Sequence, residues 1–570
     1  MTIKEQIELD LAKAFPGSAA DITISSSSVA GIDYQCNACF ALARELGKNP
    51  LELAESVAKS FKSKIATVTV SKPAFLNFVV NDDALVKMAS KVLKTKKLKL
   101  PKQKQRTIFV DYGGANVGKE LHIGHLRTPI VGEAVRRVFN AFGHKTIGDT
   151  FLGDWGLQFG LIIAELELLG DPTKMTVTLD MLNEVYPRAS KRKETDKKFY
   201  ARAEEITANL QRMEEPYLTL WKGIRETSVA RIRENYLRLN CTFDTYNGES
   251  HAQPYLDMVL DSMTMRGVTY MDAGCLMIDV RQEGEHVPIP KKTPDEPQHY
   301  LRPMPPVILK KGNGGHLYLT SDLATMYYRN RDFKPDEFIH VVDARQGMHF
   351  IQLFRIAKKG GIIPAETKTV HVGIGTINGP DGKPFKTRAG GTVKLEEVMD
   401  TVVEFAKRKM VESGRAASDD VAERVGLSAL KFADLSNNVR RDYIFDLEKF
   451  TDFNGKTGPY LLYTVARINS IFERADAADL KLGTENRAVL AAIMKLVDSY
   501  TIALTNYTLN ALCDAVYDLA QEFNNFYATT NILRETDKTK RNSYLALCAV
   551  TKSAIEFALN TLAIDTVERM

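Results

Sequence analysis

The chain has 570 residues, 44% of them hydrophobic and 26% charged, and a formal net charge of +5. That length predicts two to four domains, and that composition excludes a disordered, collagenous or disulfide-stapled chain. The mild positive excess selects no polyanionic partner by itself.

Cys36 and Cys39 form a lone pair of close cysteines among six. No second pair or histidine follows at suitable spacing, which predicts reduced thiols in a helix rather than a zinc site. The first fifteen residues mix acids with apolar side chains and read as neither a secretory leader nor a transit peptide. With no run of about 18 apolar residues, no membrane span is expected, and a reducing cytosol fits.

Residues 1 to about 100 mix two periodicities. The stretch 51–61 predicts an amphipathic helix, and 66–70 and 75–80 predict short strands split by Pro73. From Lys87 to Arg106 the chain carries Lys91, Lys94, Lys96, Lys97, Lys99, Lys102 and Lys104 and no acid. This run reads either as a solvated linker or as a stripe that meets phosphates.

From about 105 to 415, apolar strand runs alternate with helix patterns. Residues 107–110, 338–342 and 369–372 predict buried strands, and 348–359 a helix stopped at Gly360-Gly361. That rhythm predicts a parallel sheet wound by helices. The charged helical stretch at about 171–239 reads as an insertion. From 416 onward the texture is helical. After Pro459 there is no proline and one glycine, Gly483, so a helix bundle is expected.

The densest chemical signal follows the 107–110 strand: Asp111-Tyr-Gly-Gly-Ala-Asn116-Val-Gly-Lys119-Glu-Leu-His122-Ile-Gly124-His125. Apolar residues at 126, 130, 134, 138 and 142 then predict a helix ending at Gly143, with Pro129 in its first turn. Two histidines at a helix mouth can donate to phosphate oxygens, Lys119 adds positive charge, and Gly124 lets a nucleotide approach the backbone.

A second segment, Asp381-Gly-Lys383-Pro-Phe-Lys386-Thr387-Arg388-Ala-Gly390-Gly391, is either a solvent-exposed basic turn or a flap that closes over a triphosphate. A third set joins Tyr318 and Asp322 to the segment 343–346, with Gln346, which lies at the carboxyl end of the 338–342 strand, where open parallel sheets bind ligands. Asp322 and Asp111 are candidate carboxylates that could accept parallel hydrogen bonds from a planar cation. In the alternative reading, Ser321-Asp322 caps a helix that begins at Leu323.

His122-Ile-Gly124-His125 resembles the ATP-binding motif of class I aminoacyl-tRNA synthetases. Its flanks, with Asn116 and Lys119, and the block Gly153-Asp154-Trp155-Gly156-Leu-Gln158-Phe-Gly160 resemble the arginyl-tRNA synthetase family. The basic loop is similar to the divergent arginine form of the second class I signature. Thr387 stands at a lysine position there, and Lys119 occupies the place thought to compensate. The resemblance covers nearly the whole chain except the 171–239 insertion.

The resemblance implies an α/β class protein. Its doubly wound, Rossmann-like catalytic domain would span 105–415, with a small α/β N-terminal domain at 1–100 and an all-α bundle at 416–570. The implied reaction is ATP-dependent activation of L-arginine to arginyl-adenylate, then transfer to the 3′ adenosine of tRNA(Arg), with Mg²⁺. Lys119, His122, His125, Lys383, Lys386 and Arg388 would be catalytic. His122, Gly124, His125, Lys383 and Lys386 would bind ATP. Asp111, Asn116, Tyr318, Asp322 and Gln346 would bind arginine, with Asn116 holding the arginine's carboxylate.

The N-terminal domain would dock on the tRNA elbow, with Gln35 and Asn37 reading a base edge; for Asn37, helix capping is the alternative. The bundle would take the anticodon, with Tyr460 and Arg467 as contacts. No protein metal site, no membrane partner and a cytoplasmic monomer complete the expectation. The rivals are a nucleotidyltransferase without RNA and an inactive RNA-binding paralogue. The latter would have lost the histidines or the basic loop, and the sequence keeps both.

Overall fold

The computed structural model describes residues 1–15, 22–289, 300–379, 382, 393–414, 418–476 and 479–570. In the N-terminal region, strands Ser25–Ser26, Tyr34–Cys36, Phe75–Val80 and Ala66–Ser71 form one antiparallel sheet in that order. Helix Pro50–Ser60 covers it, starting where Asn49 accepts the N–H groups of Leu51 and Glu52 and Pro50 supplies a preset φ. Leu53, Ala54 and Val57 form its buried stripe.

The two thiols of the cysteine pair are not in one helix. Cys36 ends a strand and Cys39 lies in helix Ala38–Leu46, because the strand buries Tyr34 and Cys36 against the sheet before the chain turns. All six cysteines are free thiols.

The basic run is half helix. Helix Asp82–Thr95 buries Leu85, Ala89 and Val92 and exposes Lys87, Lys91 and Lys94, and the lysines from 96 to 104 are exposed beyond it.

The central sheet comprises β1 (Thr107–Asp111), β2 (Lys145–Asp149), β3 (Glu337–Asp343) and β4 (Lys368–Ile374), all parallel, in the order β4-β3-β1-β2. Helix α1 (Arg127–Ala141) connects β1 to β2, α2 (Tyr318–Phe333) precedes β3, and α3 (Gly347–Lys359) connects β3 to β4. Ile108, Phe109 and Val110 of β1 and Phe338, Ile339 and Val341 of β3 are buried, the unbroken apolar pattern of strands covered on both faces. From β1 the chain steps one way to β2; from β3 it steps the other way to β4. The carboxyl ends of β1 and β3 therefore flank the point where strand order reverses, the place open α/β sheets offer a ligand.

The insertion forms helices Leu179–Arg192, Lys197–Gln211 and Tyr217–Arg238. The C-terminal region packs α4 (Asp419–Ser436) and α5 (Arg487–Asn506) with helices Gly458–Phe472, Asn510–Thr529 and Lys538–Thr561. One amendment concerns apolar length: α5 is long and apolar enough to cross a membrane, and most of it is buried inside the bundle. The N-terminal region docks on α5, where the Tyr34 hydroxyl donates to Asp498 at 2.5 Å and Arg487 pairs with Asp33.

Candidate active site

Between β1 and α1 the chain makes a 3₁₀ turn, Ile123–His125, ahead of the helix. Leu126, Ile130, Ala134 and Val138 are buried, as the spacing required, and Gly143 follows at φ +84°. Both histidines are locked by main-chain donors. The Gly124 N–H donates to His122 Nδ1 at 3.1 Å, and the His122 N–H donates to His125 Nδ1 at 3.1 Å. In a neutral imidazole whose Nδ1 accepts, the proton sits on Nε2.

Burial, then the neighbouring charge of Lys119, lowers the His122 pKa. Burial, then His122 and Lys119, pushes His125 down to about 3. Burial also lowers Lys119. Both rings, centroids 4.0 Å apart, are thus neutral Nε2–H donors near pH 7. Gly124 has a packing role beyond nucleotide approach: a Cβ there would stand 2.8 Å from the His122 ring.

Lys383, Lys386 and Arg388 lie outside the described residues. The chain on the far side of that segment returns to the histidines. Ile123 N–H donates to Val393 O at 3.0 Å, Leu395 N–H to Leu121 O at 3.0 Å, and Lys394 Nζ lies 2.6 Å from Glu120.

A cavity of about 240 Å³ opens at the switch point, lined by Asp111 at the end of β1, by Gln346 after β3, and by Asp322 and His349 from α2 and α3. Asp322 is not a helix cap. The helix begins at Tyr318, because Leu319 and Leu323 are buried on one face and Thr320 Oγ1 donates to Leu309 O. Asp322 thus stands one turn inside and meets His349 Nε2 at 2.6 Å. Asp111 is buried and accepts Arg329 Nη1 at 2.8 Å. Gln346, in the turn Ala344–Gln346, is exposed at the rim.

An open cleft of about 1170 Å³ adjoins this cavity through His349 and holds Asn116 and Tyr318. Both are exposed, Tyr318 at 81%. Asn116 leans on Gly153, where a Cβ would stand 2.3 Å from its Oδ1.

The cleft also contains Glu249, which the sequence did not single out. Asp154 holds it in place by accepting both the N–H (2.9 Å) and the hydroxyl (2.8 Å) of Ser250. Burial, then Asp154 and Asp322, pushes the Glu249 carboxyl up to about 7. No local motif marks it; it follows the insertion and reaches the site only through the fold.

The distal residues are separate from this centre. Gln35 Nε2 donates to Asn77 at 2.8 Å. Asn37 is exposed at the start of helix Ala38–Leu46 and makes no capping hydrogen bond. In the bundle, the Arg467 guanidinium lies between the Tyr463 and Tyr527 rings, 4.6 and 4.8 Å from their centroids. The Tyr460 hydroxyl accepts from Asn524 at 2.9 Å. Arg467, Tyr463 and Tyr527 line a cleft of about 790 Å³.

A parallel sheet that carries a neutral histidine pair at a helix mouth, beside an acidic cavity at its switch point, has the architecture of a class I aminoacyl-tRNA synthetase. The family model "tRNA synthetases class I (R), catalytic domain" matches residues 87–447. The models "Arginyl tRNA synthetase N terminal domain" and "DALR anticodon binding domain" match 1–80 and 461–570. The chain is 37% identical to an arginine–tRNA ligase of Alkaliphilus oremlandii, over 94% of each chain.

Its fold is similar to arginyl-tRNA synthetases of Plasmodium falciparum and Thermus thermophilus. For the first the TM-score is 0.84, with 24% identity over 100% of this chain and 98% of that one. For the second it is 0.82, with 21% identity over all of both. The chain belongs to the arginyl-tRNA synthetase family, and its activity is that of an arginine–tRNA ligase.

Proposed function

We propose the following division of labour within that reaction. ATP lies along the mouth of α1, with its phosphates toward His122, His125 and Lys119. The arginine carboxylate, oriented by Asn116, attacks the α-phosphate; arginyl-adenylate forms and pyrophosphate leaves. A ribose hydroxyl of the tRNA 3′ adenosine then attacks the adenylate carbonyl and AMP departs.

The observation that carries this reading is the pair of main-chain N–H bonds to the histidine Nδ1 atoms, which aim two neutral N–H donors at developing phosphate charge without reorganisation. Gly124 completes the nucleotide floor. From the sequence resemblance, Lys383, Lys386 and Arg388 extend the positive field over the β- and γ-phosphates. Catalysis is positioning and electrostatics, with no covalent enzyme intermediate.

The arginine side chain reaches Asp322 and Glu249. Burial first, then the negative charges of Asp154 and Asp322, raises the Glu249 carboxyl, and among the described residues no cation pairs with Glu249. A guanidinium supplies the missing cation, and its fork suits two planar acceptors. Tyr318 packs along the guanidinium, Gln346 closes the rim, and Asp111 takes the α-ammonium group. Mg²⁺ would arrive chelated by the triphosphate, since no group of three or more His, Cys, Asp or Glu among the described residues could hold it.

For tRNA we assign the elbow to residues 1–100, through Gln35, Asn37 and the exposed lysines, and the anticodon to the bundle from 416, through Tyr460 and the Arg467 stack. Free thiols throughout suit a reducing cytoplasm, and we read the enzyme as a monomer there, off membranes. The test is ATP–pyrophosphate exchange with each of the twenty amino acids, with and without tRNA. Exchange driven by arginine alone is expected; exchange driven equally by lysine would overturn the side-chain assignment.

A further inference from the structure

We propose that Arg329 is a positioning residue for the amino-acid substrate. With Asp149 as counter-charge, it holds the Asp111 carboxylate so that one oxygen is left to receive the substrate α-ammonium group. This rests on the assignment of Asp111 to that group.

The starting point is strand register. Asp111 and Asp149 end adjacent parallel strands directly opposite one another. Two carboxylates so placed repel unless a cation separates them. Arg329, from the interior of α2, is that cation: its side chain is 2% exposed, Nη1 reaches Asp111 Oδ2 at 2.8 Å, and Nη2 reaches Asp149 Oδ2.

The guanidinium lies against two aromatic rings, 4.9 Å from the Phe109 centroid and 5.3 Å from that of Phe151. It gives one nitrogen to each carboxylate instead of two to either, which consumes only one oxygen of Asp111.

The two carboxylates then diverge in use. The other oxygen of Asp149 accepts the Thr245 hydroxyl, so that group is saturated inside the protein. Among the described residues no donor reaches the other oxygen of Asp111, and Asp111 lines the amino-acid cavity while Asp149 does not. His340 also approaches, its Nε2 3.9 Å from Asp111 Oδ2. Burial pushes His340 down to about 3, so it is neutral and adds no charge. Asp111, Asp149 and Arg329 together carry one net negative charge, shown to the cavity through a single oxygen. A guanidinium paired with Asp111 alone would cancel that charge.

This separates positioning from mere scaffolding. Asp149→Asn leaves Arg329 neutralising Asp111. Asp149→Asn with Arg329→Gln removes both outer charges and returns Asp111 to one net negative, although it deletes more contacts.

The readout is the preference for L-arginine over 5-guanidinopentanoate, which lacks the α-amino group, measured by competition in ATP–pyrophosphate exchange with the full chain and saturating tRNA. Asp149→Asn is expected to reduce that preference at least about tenfold, the scale of a hydrogen bond to a charged group. The ATP KM should be unchanged, and the double variant should recover most of the preference. Equal loss in single and double variants, or a parallel rise in ATP KM, overturns the proposal.

Asp111→Asn separates the two levels of the argument. If it leaves the preference intact, the assignment of Asp111 itself fails. If it abolishes the preference while Asp149→Asn does not, only the role of Arg329 fails. Should Asp149→Asn not fold, Arg329→Lys serves instead. One ammonium cannot replace a fork between two carboxylates, so the preference should fall, and its retention overturns the proposal.

Discussion

Asp322 Oδ2 and His349 Nε2 stand 2.6 Å apart, joining the helix that enters β3 to the helix that leaves it. The contact fixes the Asp322 carboxylate in the lining of the switch-point cavity, and its charge helps push Glu249 up.

Asp322→Asn is therefore expected to raise the arginine KM steeply. Removing one partner of a desolvated charge pair costs about 2–5 kcal/mol. Glu249→Gln should act in the same direction. Canavanine, which keeps a guanidinium-like fork, should suffer alongside arginine, and ATP KM should change little. Amino-acid-dependent pyrophosphate exchange in saturating tRNA checks this. An unchanged arginine KM with a raised ATP KM would place Asp322 on the nucleotide side.

His122→Ala and His125→Ala are each expected to slow adenylate formation by about 10²–10³, the cost of losing one preorganised donor. The fold should survive, because the Nδ1 bonds brace a short turn and not the sheet. Single-turnover adenylate formation beside a thermal melt makes the comparison. Wild-type rates in both variants would remove the histidines from phosphate chemistry.

Lys91→Ala combined with Lys94→Ala should weaken tRNA binding and flatten its salt dependence. Both lysines are exposed on the face of Asp82–Thr95 opposite its buried stripe. Each lost phosphate contact lowers the log–log slope by about 0.7–0.9. Filter binding across a salt series measures the slope, and an unchanged value would mean the run is only a solvated connection.

Asp498 gives a pH prediction. Burial pushes its folded-state pKa up to about 6, against about 3.9 for an unfolded aspartate. Between those values the folded state holds a proton that the unfolded chain lacks, so stability from this group falls as pH rises from about 4 to 6. By linkage the cost above pH 6 is about 2–3 kcal/mol. Asp498→Asn avoids it and still accepts from Tyr34. His125 acts oppositely, favouring the fold less as pH drops below 6.5, but is common to both proteins. The Tm difference, variant minus wild type, should thus grow between pH 5 and 7.5, and a constant difference would contradict the buried-carboxylate account.

Much of the candidate site's local geometry was legible because its parts are close in sequence. Lys119, Gly124 and the two histidines lie within seven residues of one another, between a strand and a helix, and a strand, a tight turn and an apolar-periodic helix each have a short-range signature. The strands at 107–110, 338–342 and 369–372 were readable for the same reason and proved one to three residues longer. The helical bundle was legible from the scarcity of proline and glycine.

Tertiary packing decided the rest. Asp322 reads locally as a cap, but burial of Leu319 and Leu323 moves the helix start back to Tyr318 and turns the carboxylate toward His349. Cys36 sits in a strand because its neighbours pair with Phe75–Val80. Glu249 feels the charge of Asp322 from 73 residues away, Val393 pairs back onto Ile123, and Arg329 reaches Asp111 from 218 residues away. Such contacts leave no periodic trace, because they depend on how finished elements pack and not on spacing along the chain. The amino acids alone thus specified the helix mouth and its charge, while the folded sheet decided which carboxylates line the switch-point cavity and which, like Asp149, are held inside the protein.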